Sequence, residues 1–248
     1  MRLLVTRPEP DATWQAEMLA ARGHEVVVAP LLAIEFLGAV PLELDGAQAL
    51  LATSRNALRA LAAHPEREQA FKLPILAVGE GTAAEAQALG FNDVMIGPGT
   101  GADLAALILA ELDPLQGPLV HLAGEKLAFD LKEALEAQGF SVRRPVLYRA
   151  VPVRQLPAAA ADSLTSGRLD GVILMSPRTA KTFAALTAML GTLGPAEAPI
   201  CYCLSKAVAE HVAPLGFPVR VAALPREEDV LALVDSEAAS LRRFNSDD

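Results

Sequence analysis

The chain has 248 residues, 52% of them hydrophobic, which is enough for one or two domains with real cores and argues against disorder. A net charge of −9 and an aromatic content of 4% argue against a phosphate-tracking surface and against a stacking platform for single-stranded nucleic acid. No run reaches the roughly 20 apolar residues of a membrane span, and the short apolar run of MRLLVTRP, followed by charge, does not make a signal peptide; a soluble cytoplasmic protein with no nucleic-acid or membrane partner is expected.

Taken in chain order, apolar runs predict strands at residues 2–6, 25–29, 47–52, 75–78, 93–96, 119–122, 141–149, 171–175, 200–203 and 219–222. Most run without alternation. That marks strands covered on both faces, hence parallel sheets. Helices fall between them. Asp11 reads as the cap of a helix that stops at Gly23, and Ser54 as the cap of one that stops before Pro65. Thr82-Ala83-Ala84-Glu85 reads as a capping box. One helix runs from about Asp103 to Leu112 and another from about Lys126 to Gly139. Ser176-Pro177 sets a capping serine before a proline at the first helical position. The last helix spans 227–241, and RRFNSDD (242–248) is left as a tail. Strands alternating with helices predict an α/β, doubly wound architecture.

The same order of elements occurs twice. LLATSRNALRAL (50–61) matches VILMSPRTAKTF (172–183): a buried strand, a serine, then a helix. PILAVGEGTAAEAQALGF (74–91) matches PICYCLSKAVAEHVAPLGF (199–217), and RLLVTRPEP leading to ARGHEVVVAP matches PLVHLAGEK leading to AQGFSVRRPVLY. A period of more than a hundred residues is a duplicated domain rather than a solenoid. The linear repeat need not be the spatial domain. LLAIEFL (31–37) and VLYRAVPV (146–153) are extended stretches that bracket one block. Paired, they would bridge a domain of residues 38–145 to a discontinuous one of residues 1–30 and 152–241, with 31–37 and 146–151 as linkers. Two thin linkers on one side make a hinge, with a cleft opposite.

A serine that ends a parallel strand and starts a helix sits at the carboxyl edge of its sheet, where ligands bind. The free N–H groups of the first helical turn favour anions there. The turns at Ser54, Thr82, Ser176 and Ser205 therefore suit a polycarboxylate or phosphorylated ligand, although each is also explained as a plain cap worth about 1 kcal/mol. Gly79-Glu80-Gly81-Thr82 lacks the lysine and spacing of a P-loop, and no GxGxxG follows a strand. His24, His64, His121 and His211 are scattered without zinc spacing; His121, within a strand, reads as a satisfied core residue. Cys201 and Cys203, two apart on a strand, point to one face and read as buried thiols. With no nucleophile elbow, metal site or cofactor motif, positioning and general acid–base work remain.

VTRPEPDA, LLATSRNAL, AVGEGTAAEAQALGF, VLYRAVPV and ILMSPRTAKTF, in this order and spacing, resemble the uroporphyrinogen-III synthase family over about residues 1–235. The resemblance implies two α/β domains joined by a two-strand linker, the first discontinuous, with the active site in the cleft. It implies a hydro-lyase that needs no cofactor. Linear hydroxymethylbilane loses its hydroxyl as water, giving an azafulvene on ring A. Ring D is attacked at its substituted carbon, and a spiro intermediate opens to invert ring D and close uroporphyrinogen III. Tyr148 falls on the family's linker tyrosine and is implied to assist hydroxyl departure; a tyrosine that only fills the hinge is the alternative. Arg7, Ser54, Gly79, Thr82, Ser176 and Ser205 are implied to hold substrate carboxylates, with Arg55, Lys126, Arg178 and Lys206 as electrostatic partners. Ser205 stands where many members carry glycine, and Ala207 and Val208 where threonines often stand. A transient contact with the preceding pathway enzyme is the one protein partner implied. Two other readings stay open: a non-catalytic two-domain binder of a polycarboxylate, and a degenerate synthase-like interaction domain.

Overall fold

The unalternating apolar runs at the centre of each sheet become fully buried strands, Ala49–Ala52, Leu119–Gly124 and Gly171–Leu174 among them, with helices packed on both faces. The computed structural model describes residues 1–38, 40–191, 194 and 198–244. In chain order the elements are β1 (Arg2–Val5), α1 (Asp11–Ala21), β2 (Glu25–Val28), β3 (Leu32–Phe36), β4 (Ala49–Ala52), α2 (Arg55–Ala62), α3 (Arg67–Ala70), β5 (Ile75–Ala77), α4 (Glu80–Ala88), β6 (Val94–Ile96), α5 (Gly101–Glu111), β7 (Leu119–Gly124), α6 (Leu131–Glu136), β8 (Val142–Arg143), β9 (Val146–Pro152), α7 (Ala158–Thr165), β10 (Gly171–Leu174), α8 (Pro177–Ala188), β11 (Ile200–Cys203), α9 (Lys206–Ala209), β12 (Val219–Val221) and α10 (Glu227–Phe244).

The chain divides into two compact units, Met1–Ala33 with Val151–Asp248, and Ile34–Ala150. The first holds a sheet in the order β12-β11-β10-β1-β2, every pair parallel. Successive residues of a strand point to opposite faces. Leu4, Val172, Leu174, Cys201, Cys203 and Phe183 accordingly fill one side, and Leu3, Val5, Ile173, Tyr202, Val230 and Val234 the other. The second unit holds the order β3-β9-β7-β4-β5-β6, with β8 also on β7. Leu50, Ala52, Ile75, Val120 and Leu122 pack beneath α2 residues Leu58 and Leu61. Ala49, Leu51, Leu76 and Leu119 meet Leu104, Ile108, Leu131 and Leu135 on the opposite face.

Sheet order shows what the duplication built. Strands β10, β11, β12, β1 and β2 hold the places in the first unit that β4, β5, β6, β7 and β8 hold in the second. Each unit thus joins a part of one repeat to a part of the other. The chain passes between them along β3 and β9, which are neighbours: Leu37 N–H donates to Leu147 O (2.7 Å) and Val153 N–H to Leu31 O (3.1 Å).

Several boundaries differ from expectation, each for a local reason. The strand expected at 141–149 is two strands, β8 and β9, on either side of Arg144-Pro145; both pair with β7, whose register shifts between Ala123 and Gly124. Pro145 cannot donate to a ladder. Asp11 does not cap α1. It is the first helical residue, Pro10 precedes it, and its carboxylate lies 3.6 Å from Arg7 instead. Gly23, at φ +83, ends that helix as expected. Thr82 does not open a capping box, because α4 begins at Glu80 behind Gly79, and Glu85 pairs with Arg59 at 3.0 Å. Helix α5 starts earlier than expected, capped by Thr100, whose Oγ1 accepts from Asp103 N–H at 3.1 Å. Helix α6 starts later, at Leu131, because Asp130 accepts from Glu133 N–H at 3.2 Å, which holds its carboxyl below the usual range. Helix α10 runs on through Phe244 into the expected tail, whose last residues, 245–248, lie outside the described ones.

Ser54 and Ser176 do cap. Ser54 Oγ accepts from Asn56 N–H and Ser176 Oγ from Thr179 N–H, both at 3.1 Å. Ser54→Ala and Ser176→Ala should each lower stability by about 1 kcal/mol, read as a shift in the denaturation midpoint. A loss well above that would mean the hydroxyls carry more than their helix ends.

Candidate active site

In a parallel sheet the carboxyl ends of the strands share one edge. The crevice opens where neighbouring strands send their connections to opposite sides. In the second unit that point lies between β4, which leads to β5, and β7, which leads to β8. In the first it lies between β1 and β10. Ser54 and Arg55 follow β4, and Glu125 and Lys126 follow β7; Arg7 follows β1, and Ser176 and Arg178 follow β10. Gly79 and Ser205 occupy matching places one strand further out, after β5 and β11. The residues expected to hold a ligand therefore gather at the carboxyl edge of each sheet, with two exceptions of character, Thr82 and Arg7.

In the second unit, Tyr148 in β9 sits opposite Gly124, the last residue of β7. Its ring lies directly on that glycine. A Cβ there would be 2.6 Å from Tyr148 Cζ and 2.8 Å from the phenol oxygen. The phenol is thereby placed over the end of β7, beside the turn that carries Glu125 and Lys126, and Glu125 N–H donates to Tyr148 O at 2.9 Å. Lys126 is exposed, whereas Ser54 and Arg55 are partly buried at the start of α2. Gly79 caps α4 with its backbone against another glycine: a Cβ would stand 3.2 Å from Gly99 Cα. Thr82 is nearly buried inside the helix, its N–H donating to Gly79 O at 3.1 Å, and it offers little surface to a ligand.

His121 is not the satisfied core histidine expected. It is wholly buried, with Nε2 lying 3.2 Å from Thr53 Oγ1 and Nδ1 lacking a partner among the described residues. Burial first, and then the positive charge of Arg144 against the smaller opposing effect of Asp130, pushes its pKa down to about 4.

In the first unit, Arg7 is committed to its own chain. Its Nη1 meets Glu227 Oε1 at 2.7 Å, Asp11 lies 3.6 Å away, and Gln15 Nε2 donates to the same Glu227 oxygen at 2.8 Å. The side chain is 10% exposed. Arg7 thus pins the starts of α1 and α10 to the end of β1, and a ligand carboxylate would have to compete with two carboxylates already in place. Ser176 Oγ also bonds Thr179 Oγ1 at 2.8 Å. Pro177 brings no N–H, so Arg178 is the first residue of α8 with a backbone donor, and its side chain is partly buried. Ser205 precedes α9 without a side-chain capping bond, and Lys206 is exposed. Val208 is buried in the core, which accounts for an apolar residue there, while Ala207 is exposed.

Cys201 and Cys203 are buried, and burial pushes both thiols well above their ordinary range, so neither is a nucleophile. Among the described residues, no group of three or more His, Cys, Asp or Glu side chains could hold a metal ion, and no helix is long and apolar enough to cross a membrane. Gly124 beneath Tyr148 and Thr53 beside His121 are the positions at this sheet edge that pattern reading missed. A glycine that closes a largely apolar strand, as in LVHLAG, is the signal that could have found the first.

The sequence model of the family described as uroporphyrinogen-III synthase HemD matches residues 14–232. No match is found among curated proteins. Among solved structures, the uroporphyrinogen-III synthetase of Helicobacter pylori 26695 is 21% identical, with 95% of this chain and 98% of that chain covered and a TM-score of 0.62. A mutant uroporphyrinogen III synthase of the extremely thermophilic bacterium Thermus thermophilus is 19% identical over 98% of this chain and 99% of that chain, with a TM-score of 0.55. At such identities the likeness of structure is one of fold, and it agrees with a sequence match that spans nearly the whole chain: this protein belongs to the uroporphyrinogen-III synthase family.

Proposed function

We propose that the chain acts as a hydro-lyase on a carbon–oxygen bond, in a cytoplasmic setting, and receives its substrate through a transient contact with the enzyme that makes it. As a member of its family it cyclises hydroxymethylbilane to uroporphyrinogen III in tetrapyrrole biosynthesis. The observation that carries this is the family match over residues 14–232.

The substrate is reactive by itself, so the protein's main task is to fold it and to choose which carbon of ring D meets the cation on ring A. In this reading the departing hydroxyl takes a proton from Tyr148 and leaves as water while the pyrrole nitrogen lone pair forms the azafulvene cation on ring A; the proton lost from ring D when the macrocycle closes restores the phenol. The many acetate and propionate groups are held by backbone N–H groups at the starts of α2, α4 and α8. Lys126, Arg178 and Lys206 add positive charge; Ser205 adds a hydroxyl with no capping duty. Arg55 adds its charge from the first residue of α2.

The test is to add purified protein to freshly made hydroxymethylbilane and to separate the uroporphyrin isomers after oxidation. Isomer III should predominate with no metal or cofactor added, and dialysis against a chelator should change nothing. Equal yields of isomer I with and without protein would sink the assignment.

A further inference from the structure

His121 is a buried titratable group that the mechanism above leaves unused. Its depressed pKa of about 4 keeps the ring neutral at neutral pH. A neutral imidazole carries one N–H and one lone pair. With the proton on Nδ1, an N–H would be buried without an acceptor. With the proton on Nε2, only a lone pair goes unmet at Nδ1. Buried donors left unmet are rarer in folded proteins than under-satisfied acceptors. The Nε2–H form is therefore favoured, and it donates to Thr53 Oγ1 across 3.2 Å. Thr53 is a partly exposed residue, and with its oxygen accepting from His121 the hydroxyl keeps its own proton to donate. The pair belongs to the two strands that flank the switch point: Thr53 follows β4, one residue before the capping Ser54, and His121 lies in β7 beside Leu51.

We propose that His121 is a positioning residue, which orients the Thr53 hydroxyl as a hydrogen-bond donor to a substrate carboxylate at the β4–β7 switch point. The proposal rests on the reading that this switch point holds such a carboxylate.

Initial rates against fresh hydroxymethylbilane test it with Thr53→Val, His121→Leu, the double variant and His121→Gln, whose amide carries a donor near the place of Nε2. Loss of one hydrogen bond to a charged group predicts a KM about ten-fold higher for Thr53→Val, with kcat kept. His121→Leu should raise KM by a similar factor, and the double variant no further, because both remove the same bond. His121→Gln should restore a KM close to that of the unaltered enzyme. A KM unchanged in His121→Leu, or factors that multiply in the double variant, would overturn the proposal. Should His121→Leu fail to fold, Thr53→Val and His121→Gln decide: a raised KM in the first and not in the second supports it, and any other pattern overturns it. Failure of the underlying functional reading shows separately, as absence of an isomer III excess with the unaltered protein.

Discussion

Gly124→Ala will cut kcat by about 100-fold while the protein still folds. The new Cβ would lie 2.6 Å from Tyr148 Cζ and 2.8 Å from the phenol oxygen, far inside van der Waals contact, so the ring must move. Both atoms sit on paired strands, which leaves the side chain rather than the backbone to give way. A displacement of about 1 Å at a reacting group is worth roughly 10²-fold in rate. Overpacking at one site costs typically about 1–3 kcal/mol, less than a domain's usual margin of about 5–15 kcal/mol, so a folded variant is expected. The measurement is kcat and KM on fresh substrate beside a melting curve. A folded variant with unaltered kcat would mean that the seat of the ring does not matter to the reaction.

Tyr148→Phe should lower kcat toward the lower end of the 10²–10⁴-fold range that general acid assistance supplies, near about 100-fold. The ring and its packing against Gly124 stay. KM should hold, and most of the product should remain isomer III, because the folding of the substrate survives. An unchanged rate would assign Tyr148 to packing between strands and nothing more. Combined with Gly124→Ala, the loss should be no greater than the larger of the two single losses, since both act on one hydroxyl. Losses that multiply would show that the glycine and the phenol serve the site separately.

Much of this molecule is written locally in the chain. Parallel, doubly covered strands follow from apolar runs without alternation, and the capping of α2 and α8 follows from Ser54 and Ser176, because a cap bonds backbone only two or three residues away. The repeat, too, is plain in LLATSRNALRAL and VILMSPRTAKTF. Local signals failed where two of them competed, as at Glu80, where Gly79 rather than Thr82 begins the helix, and at Asp130, which takes the start of α6 from Lys126. What no local pattern contains is which distant segments meet. That β1 lies between β2 and β10, so that the switch point falls between Arg7 and Ser176, is decided by strand pairing across nearly the whole chain. The same is true of Arg7: its residue type and place mark a carboxylate binder, but Glu227, 220 residues on, reaches it first. Tyr148 was legible as a candidate; that it rests on Gly124, over the end of β7, was not. Tertiary packing alone sets the register that brings these two together, and it also buries His121 behind Thr53, because side-chain reach is a matter of a few ångströms in space and not of distance along the chain.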